Sequence, residues 1–513
     1  MVKKSIILSL ISLFTYLISL ISQLNIAYSF GTSRQLDIFF IASSIPILIG
    51  ALISNAMSYS LIPHLLNNKF TNPINYISYV RNFLLKSMFL FLCFSVFFLI
   101  LYFLITPYIY KSYSNSEINL IKFISFIFFL NMLLSLINGI LISIINANEK
   151  YSIAMLSNIF PYLFSIISVI LLNDILGIKS LAIGNLFGTL ASTFLLLSIS
   201  PKEIFQFKYD SEFDLDIFNF YKKMIYAIIA MLCFTFFQSS DGFWTSDLGS
   251  SKMSYISYCQ RLLVAIGSII IIGPSTLFIP KLTNLYNKTD RLEFYNSIID
   301  ILILLIAFST IIVSLVLKYS NEIIKIIFYR GNFTLKDVNN LSLILPSMLI
   351  GMIFMICVVV LFRILFIANL QKYAATIGFT CAFLYFILSG LLSHFFDING
   401  ISYAYLITWF LVFIITIFLL FKSNLQLLLN KRTTFFLFFQ LFFLIVLNFI
   451  IYKITIKDSS NFLIILKITL IAMITFFVYF FLSTFILKIK PIDKFLFLLF
   501  PNILTKKNID FEL

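Results

Sequence analysis

The sequence predicts an all-α polytopic membrane protein of about 14 transmembrane helices, arranged as two parallel six-helix lobes plus two C-terminal helices. Three observations carry that prediction. Of 513 residues, 61% are hydrophobic and only 11% charged, whereas a soluble domain carries about 25% charged residues. Apolar runs of about 20 residues, enough to cross the hydrocarbon of a bilayer, recur along the whole chain. Finally, four short strings repeat in the same order at a nearly constant offset.

The elements follow in chain order. Lys3-Lys4 and the apolar run 5–29 resemble a signal peptide, but the run is long, lacks an A-x-A site and is answered at once by another span. It reads as the first helix. Spans follow near 37–62, 83–106, 118–145, 152–172 and 180–199, completing an N-terminal lobe over 1–200. The polar stretch 201–221 reads as a cytoplasmic linker. Six more spans near 222–240, 253–279, 297–318, 338–366, 374–396 and 401–421 make a second lobe over 222–421. Two runs near 433–452 and 461–487 have no counterpart in the first half, and 488–513 reads as a tail.

The repeat is explicit in the residues. Gly31-Thr32-Ser33 matches Gly249-Ser250-Ser251, 218 residues on, and Leu61-Ile62-Pro63-His64-Leu65 matches Phe278-Ile279-Pro280-Lys281-Leu282, 217 residues on. Ala147-Asn148-Glu149-Lys150-Tyr151 recurs near Ala368–Tyr373, and Asp174–Ile178 recurs as Asp397–Ile401, 223 residues on. With the N-terminus inside, inner segments hold 21 Lys and Arg against 10 in outer segments. That bias places both termini in the cytoplasm. Six spans per half is an even number, so both halves enter the membrane in the same direction.

Several functions are set aside by what is missing. The net charge of +15 is spread over short loops as an orientation signal, and no basic domain offers itself to nucleic acid. Five cysteines lie scattered in apolar runs, and the two histidines, His64 and His394, are far apart. Neither pattern implies a disulfide framework, a metal centre or another cofactor. No Walker A loop, HExxH or G-x-S-x-G occurs, so an enzyme is not expected.

Polar residues inside spans are the candidate functional groups. Pro46, Pro161, Pro274 and Pro346 are expected to break or kink helices. Lys86, Lys122, Arg363 and Lys467 sit near helix ends, where long cations snorkel. Arg261 lies deeper, beside Ser257, Tyr258 and Gln260, and a cation at that depth normally faces a bundle interior or a water-filled cavity. Asn25, Asn131, Asn138, Asn158 and Asn185 could either glue helices together by hydrogen bonds or line a polar cavity. Asp37 and Asp241 are the acidic candidates. Either could instead cap a helix or pair with a cation.

Specific strings resemble the MurJ (MviN-type) lipid II flippases of the MATE-like exporter superfamily. Phe30-Gly31-Thr32-Ser33 with Asp37-Ile38-Phe39-Phe40-Ile41-Ala42 and Ile45-Pro46 resembles that family's FGxSxxxDAFFVAxxLP. Tyr258–Leu262 resembles its YADRL, Leu277–Leu282 its LFPxL, and Tyr329–Thr334 with Asp337 its RGxFTxxD loop. The chain departs from the family where Thr15, Tyr16, Ser19, Ser22 and Gln23 replace a charged first-helix pattern, where Gly50-Ala51 replace paired arginines, and at Gln260. The resemblance implies a flippase that moves polyprenyl-pyrophosphate-linked saccharides to the outer leaflet of a bacterial inner membrane by alternating access. The two extra helices would supply a lipid-tail groove. Arg261, Asp37, Gln260 and Asn25 would bind the headgroup, with Asp241 coupling an ion. Retention of Arg261 alone among the family's arginines weights the cargo toward an O-antigen or capsule unit over lipid II. Partners would be that glycan, membrane lipids and the polymerases of the cell envelope. The rival readings are a MATE-like drug/cation antiporter, which needs intramembrane carboxylates, and a non-transporting membrane scaffold.

Overall fold

The computed structural model describes residues 2–71, 76–148, 150–201, 214–287, 291–368 and 370–422, with Lys467 and Ile471 beyond them. Among the described residues there are fourteen helices and no strand. In the first half these are α1 (Val2–Phe30), α2 (Arg34–Thr71), α3 (Tyr76–Ile109), α4 (Asn115–Ala147), α5 (Tyr151–Ser157), α6 (Phe160–Leu176) and α7 (Lys179–Ile199). In the second they are α8 (Asp214–Thr245), α9 (Lys252–Asn287), α10 (Arg291–Lys318), α11 (Ser320–Phe328), α12 (Leu335–Ile367), α13 (Gln371–Phe396) and α14 (Ile398–Phe421).

Ten helical stretches among the described residues are long and apolar enough to cross a membrane. α1 and α9, at 29 and 36 residues, also exceed the length a bilayer requires. The ten fall among the twelve spans predicted for the two halves. The predicted spans near 433–452 and 461–487, the tail 488–513 and most of the linker lie outside the described residues.

Two local features refine the prediction. The fifth predicted span is divided beside Pro161, one of the prolines expected to break or kink a helix: α5 ends at Ser157, and α6 starts at Phe160 with Pro161 in its first turn. Proline lacks an N–H, so it fits a helix start where that donor has no partner. Pro46 and Pro346 sit inside unbroken helices, as does Pro107. The other addition is α11, a short helix with Glu322 in its first turn and Lys325 in its last, the charge order that complements a helix dipole.

The helix junctions carry the repeat. Gly31 ends α1 at φ +56 and Gly249 follows α8 at φ +103, a left-handed backbone that glycine adopts without a Cβ clash. The α6–α7 junction turns at Gly177 with φ 54, and the α13–α14 junction at Asp397 with φ 55. The structure therefore equates Gly177 with Asp397, three residues earlier than the string match that set Gly177 against Gly400.

The chain packs as two compact units. One comprises Met1–Arg261, Ile327–Ile344 and Gln371–Thr408; the other comprises Leu262–Ile326, Leu345–Leu370 and the described residues from Trp409 on. In the first unit α2 packs on α3, α4 and α8, α6 packs on α1 and α7, and α8 packs on α13. Small residues allow the closest approaches. A Cβ on Gly378 of α13 would lie 2.5 Å from the carbonyl oxygen of Ile229, and one on Gly390 would lie 2.4 Å from the Trp244 ring. In the second unit α10 buries Ile298, Ile301, Leu304 and Leu305, and Phe354 of α12 meets Phe410 and Phe413 of α14.

Candidate functional site

The chemistry concentrates where α8, α9 and α13 meet inside the first unit. Asp241, near the end of α8, is fully buried. Its carboxylate accepts from the amide Nε2 of Gln260 at 2.5 Å and from the phenol of Tyr385 at 2.5 Å. The Tyr385 ring is held in turn by Phe237, stacked at 3.8 Å between centroids. Ser240 and Ser389 share a hydroxyl contact at 3.1 Å, and the indole N–H of Trp244 donates to the Phe386 carbonyl at 3.0 Å. Asp241 thus has two neutral donors and no ion pair among the described residues.

Gln260 is followed on α9 by Arg261. The half-buried guanidinium of Arg261 has its central carbon 4.9 Å from the centroid of the Phe40 ring on α2. Among the described residues no carboxylate and no hydrogen-bond acceptor meets it. A ring face offers a cation on the order of 0.5–2 kcal/mol, whereas holding an arginine at mid-membrane costs about 2.5–3.5 kcal/mol even on insertion scales. The guanidinium is therefore undercompensated, and none of its five donors meets an acceptor among the described residues. Ser257, one helical turn earlier, is buried with an unpartnered hydroxyl.

Asp37 is placed differently from an open ligand site. It is buried in the first turn of α2, and its carboxylate accepts from the Ser251 N–H at 2.5 Å, the Ser254 N–H at 2.8 Å and the Ser254 hydroxyl at 2.5 Å. These donors belong to the start of α9, so Asp37 acts as a cap supplied by another helix. A second carboxylate completes the same end. Asp337 accepts from Thr32 at 2.6 Å and from Tyr255 at 2.8 Å, and the Asn332 side chain donates to the Ser29 carbonyl at 2.6 Å. Together they fix the first residues of α9, and with them the register of Gln260 and Arg261. Asn25 stands apart, half-buried on α1, with its amide 3.4 Å from the Ile166 carbonyl of α6.

The structure thus joins Asp241, Gln260 and Arg261 through α9, ties Asp37 to that helix's start, and leaves Asn25 on the α1–α6 contact. Sequence reasoning missed Tyr385 and Phe40. Tyr385 lies 144 residues beyond Asp241 with no local signal, while Phe40 sits in the same string as Asp37 and reads there as ordinary core.

Residues 26–487 match the family model described as lipid II flippase MurJ. The chain belongs to the MurJ family. A probable lipid II flippase MurJ of Buchnera aphidicola subsp. Baizongia pistaciae (strain Bp) is 27% identical over 354 residues, 66% of this chain and 67% of that protein. Among solved structures, a lipid II flippase MurJ in an inward closed conformation superposes with TM-score 0.77 at 19% identity, covering 93% of this chain and 99% of the other. An inward-facing MATE family multidrug transporter of the MOP superfamily shares the fold less fully, with TM-score 0.57 at 11% identity over 83% of this chain and 99% of its own. The MurJ family match also extends across both C-terminal spans that the sequence predicts beyond the described residues.

Proposed function

We propose that this chain moves lipid II, a polyprenyl-pyrophosphate-linked saccharide, from the cytoplasmic to the outer leaflet of a bacterial inner membrane by alternating access. Membership of the MurJ family and the relative from Buchnera support this cargo over the surface-glycan unit that the sequence departures favoured. The observation that carries the mechanism is Arg261, which faces the Phe40 ring and the neutral phenols of Tyr258 and Tyr162 but meets no anion among the described residues. A pyrophosphate supplies the missing anion through charge-assisted hydrogen bonds. Gln260 and Asn25 are the polar side chains that accompany it, and Asp37 keeps α9 in register beneath the headgroup.

Asp241 is the coupling carboxylate in this proposal. Buried beside neutral donors only, it exchanges a proton or a monovalent cation, and Gln260 transmits the change to the residue next to Arg261. The product is then available to glycan polymerases on the outer face. A surface-glycan unit remains the second reading, favoured by Ser22, Gln23, Gly50 and Ala51 where the family carries charges.

Rescue of cells depleted of their own lipid II flippase tests the cargo. Native-level expression of this chain is expected to restore growth, and Arg261→Ala is not. Failure of the wild-type chain there, with rescue of a strain lacking its O-antigen or capsule flippase, would transfer the assignment to the surface unit.

A further inference from the structure

The second unit holds a cavity that the transport site does not use. It opens where α9 ends, α10 begins and α12 and α14 end, and its volume is about 170 Å³. Its apolar wall is made by Leu285, Phe294 and Leu420, all buried. Its polar lining is Arg291, Tyr286 and Tyr295. The Tyr286 phenol donates to the Ala368 carbonyl at 3.1 Å, which leaves its oxygen lone pairs free. Arg291 is exposed and has no carboxylate partner among the described residues, and the Tyr295 hydroxyl makes no hydrogen bond among them.

We propose that this cavity binds the headgroup of an anionic phospholipid of the cytoplasmic leaflet, with Arg291 on the phosphate and Tyr295 donating to it. The ends of α9, α10, α12 and α14 fall on the side where Lys and Arg predominate, and the proposal rests on that reading of the orientation. Amphipathic tyrosines belong at that depth, and basic pockets between helix ends on the cytoplasmic side suit anionic headgroups. Size decides the class of ligand. A site of this volume is below the about 300–1,000 Å³ of a drug-sized ligand pocket, too small for a saccharide-pyrophosphate headgroup and of a size for a phosphate with its glycerol. The apolar wall of Leu285, Phe294 and Leu420 suits the start of an acyl chain, which free phosphate lacks.

The test is lipid binding to the delipidated full-length protein in detergent, followed by native mass spectrometry. Phosphatidylglycerol is compared with phosphatidylcholine of the same chains, with and without millimolar inorganic phosphate. Phosphatidylglycerol is expected to bind more tightly, and Arg291→Ala to weaken it about fivefold, the contribution of one cation beside an anionic surface. Arg291→Lys should retain most of the binding, Tyr295→Phe should lose part of it, and phosphatidylcholine, whose choline already offsets its phosphate, should lose less than phosphatidylglycerol on Arg291→Ala. Equal binding of the two lipids, or an Arg291→Ala variant indistinguishable from wild type, would overturn the proposal. Displacement of the lipid by inorganic phosphate would overturn it too, and assign the cavity to a free anion. The readout does not involve flipping: Arg261→Ala should keep the lipid preference even where it cannot rescue growth, so the two readings fail separately.

Discussion

At the residue scale the decisive contrast is between two charges that meet α9 in different ways. Asp37 of α2 has three donors and is spent on holding the first turn of α9, while Arg261, seven residues beyond Ser254, has the Phe40 ring and neutral phenols beside it but no ion pair or hydrogen bond among the described residues. An arginine tied to a structural partner would leave that partner unpaired on removal, and the amount of folded protein would fall. An arginine held for cargo would not. Arg261→Ala is therefore expected to reach the membrane at wild-type abundance and to lose flipping by at least tenfold. Arg261→Lys keeps the charge but not the planar fork that grips two oxygens, so it should retain part of the activity. Membrane abundance measured beside transport for both variants separates the alternatives, and wild-type transport by Arg261→Ala would remove the residue from the mechanism.

At the element scale, packing between α8 and α13 sets Tyr385 against Asp241. That contact depends on the bare backbone of Gly378, where a Cβ would meet the carbonyl oxygens of Ile229 and Ala230 at 2.5 and 2.6 Å. Backbone cannot rotate aside as a side chain can, so Gly378→Ala is expected to force the helices apart at a cost of about 1–3 kcal/mol. A lowered midpoint of thermal inactivation, with transport reduced alongside, is the expected result; an unchanged midpoint would mean the helices separate freely. Much of this scale was legible in the sequence. Ten candidate spans among the described residues follow from length and apolarity alone, and Gly31 and Gly249 mark matching junctions because only a residue without a Cβ turns there cheaply. Pro161 flagged the break near Asn158, but Pro46 and Pro346 gave the same signal in helices that run on unbroken, and only the packing distinguishes a helix start from a helix interior. The Asp241–Tyr385 pair was illegible for another reason: a contact 144 residues apart leaves no local periodicity. Arg261 stood out because a charge in an apolar run carries its own anomaly, whereas Phe40 disappears among 63 phenylalanines.

At the scale of the whole molecule the open question is which way the chain faces. Hydropathy sets the number of crossings but not their direction. Direction rests on the 21 inner against 10 outer cations, because Lys and Arg in short loops resist translocation. The division of the fifth span into α5 and α6 does not alter the parity, since the pair Tyr151–Leu176 still crosses once. The short α11 lies between α10 and α12 without the length to cross. With six predicted crossings per half, the junctions at Gly31 and Gly249 are expected to share a side. Single cysteines introduced into a cysteine-free variant test this with a membrane-impermeant thiol reagent. Ser250→Cys and Asn332→Cys should react from outside intact cells, while Asn67→Cys, Glu203→Cys and Asn287→Cys should react only after the membrane is opened. Asn332 and Ser29 share a hydrogen bond, so labelling at Asn332 also locates the α1–α2 junction. Reaction of Asn67→Cys and Ser250→Cys from the same side would break the parity argument, and with it the parallel relation of the two halves.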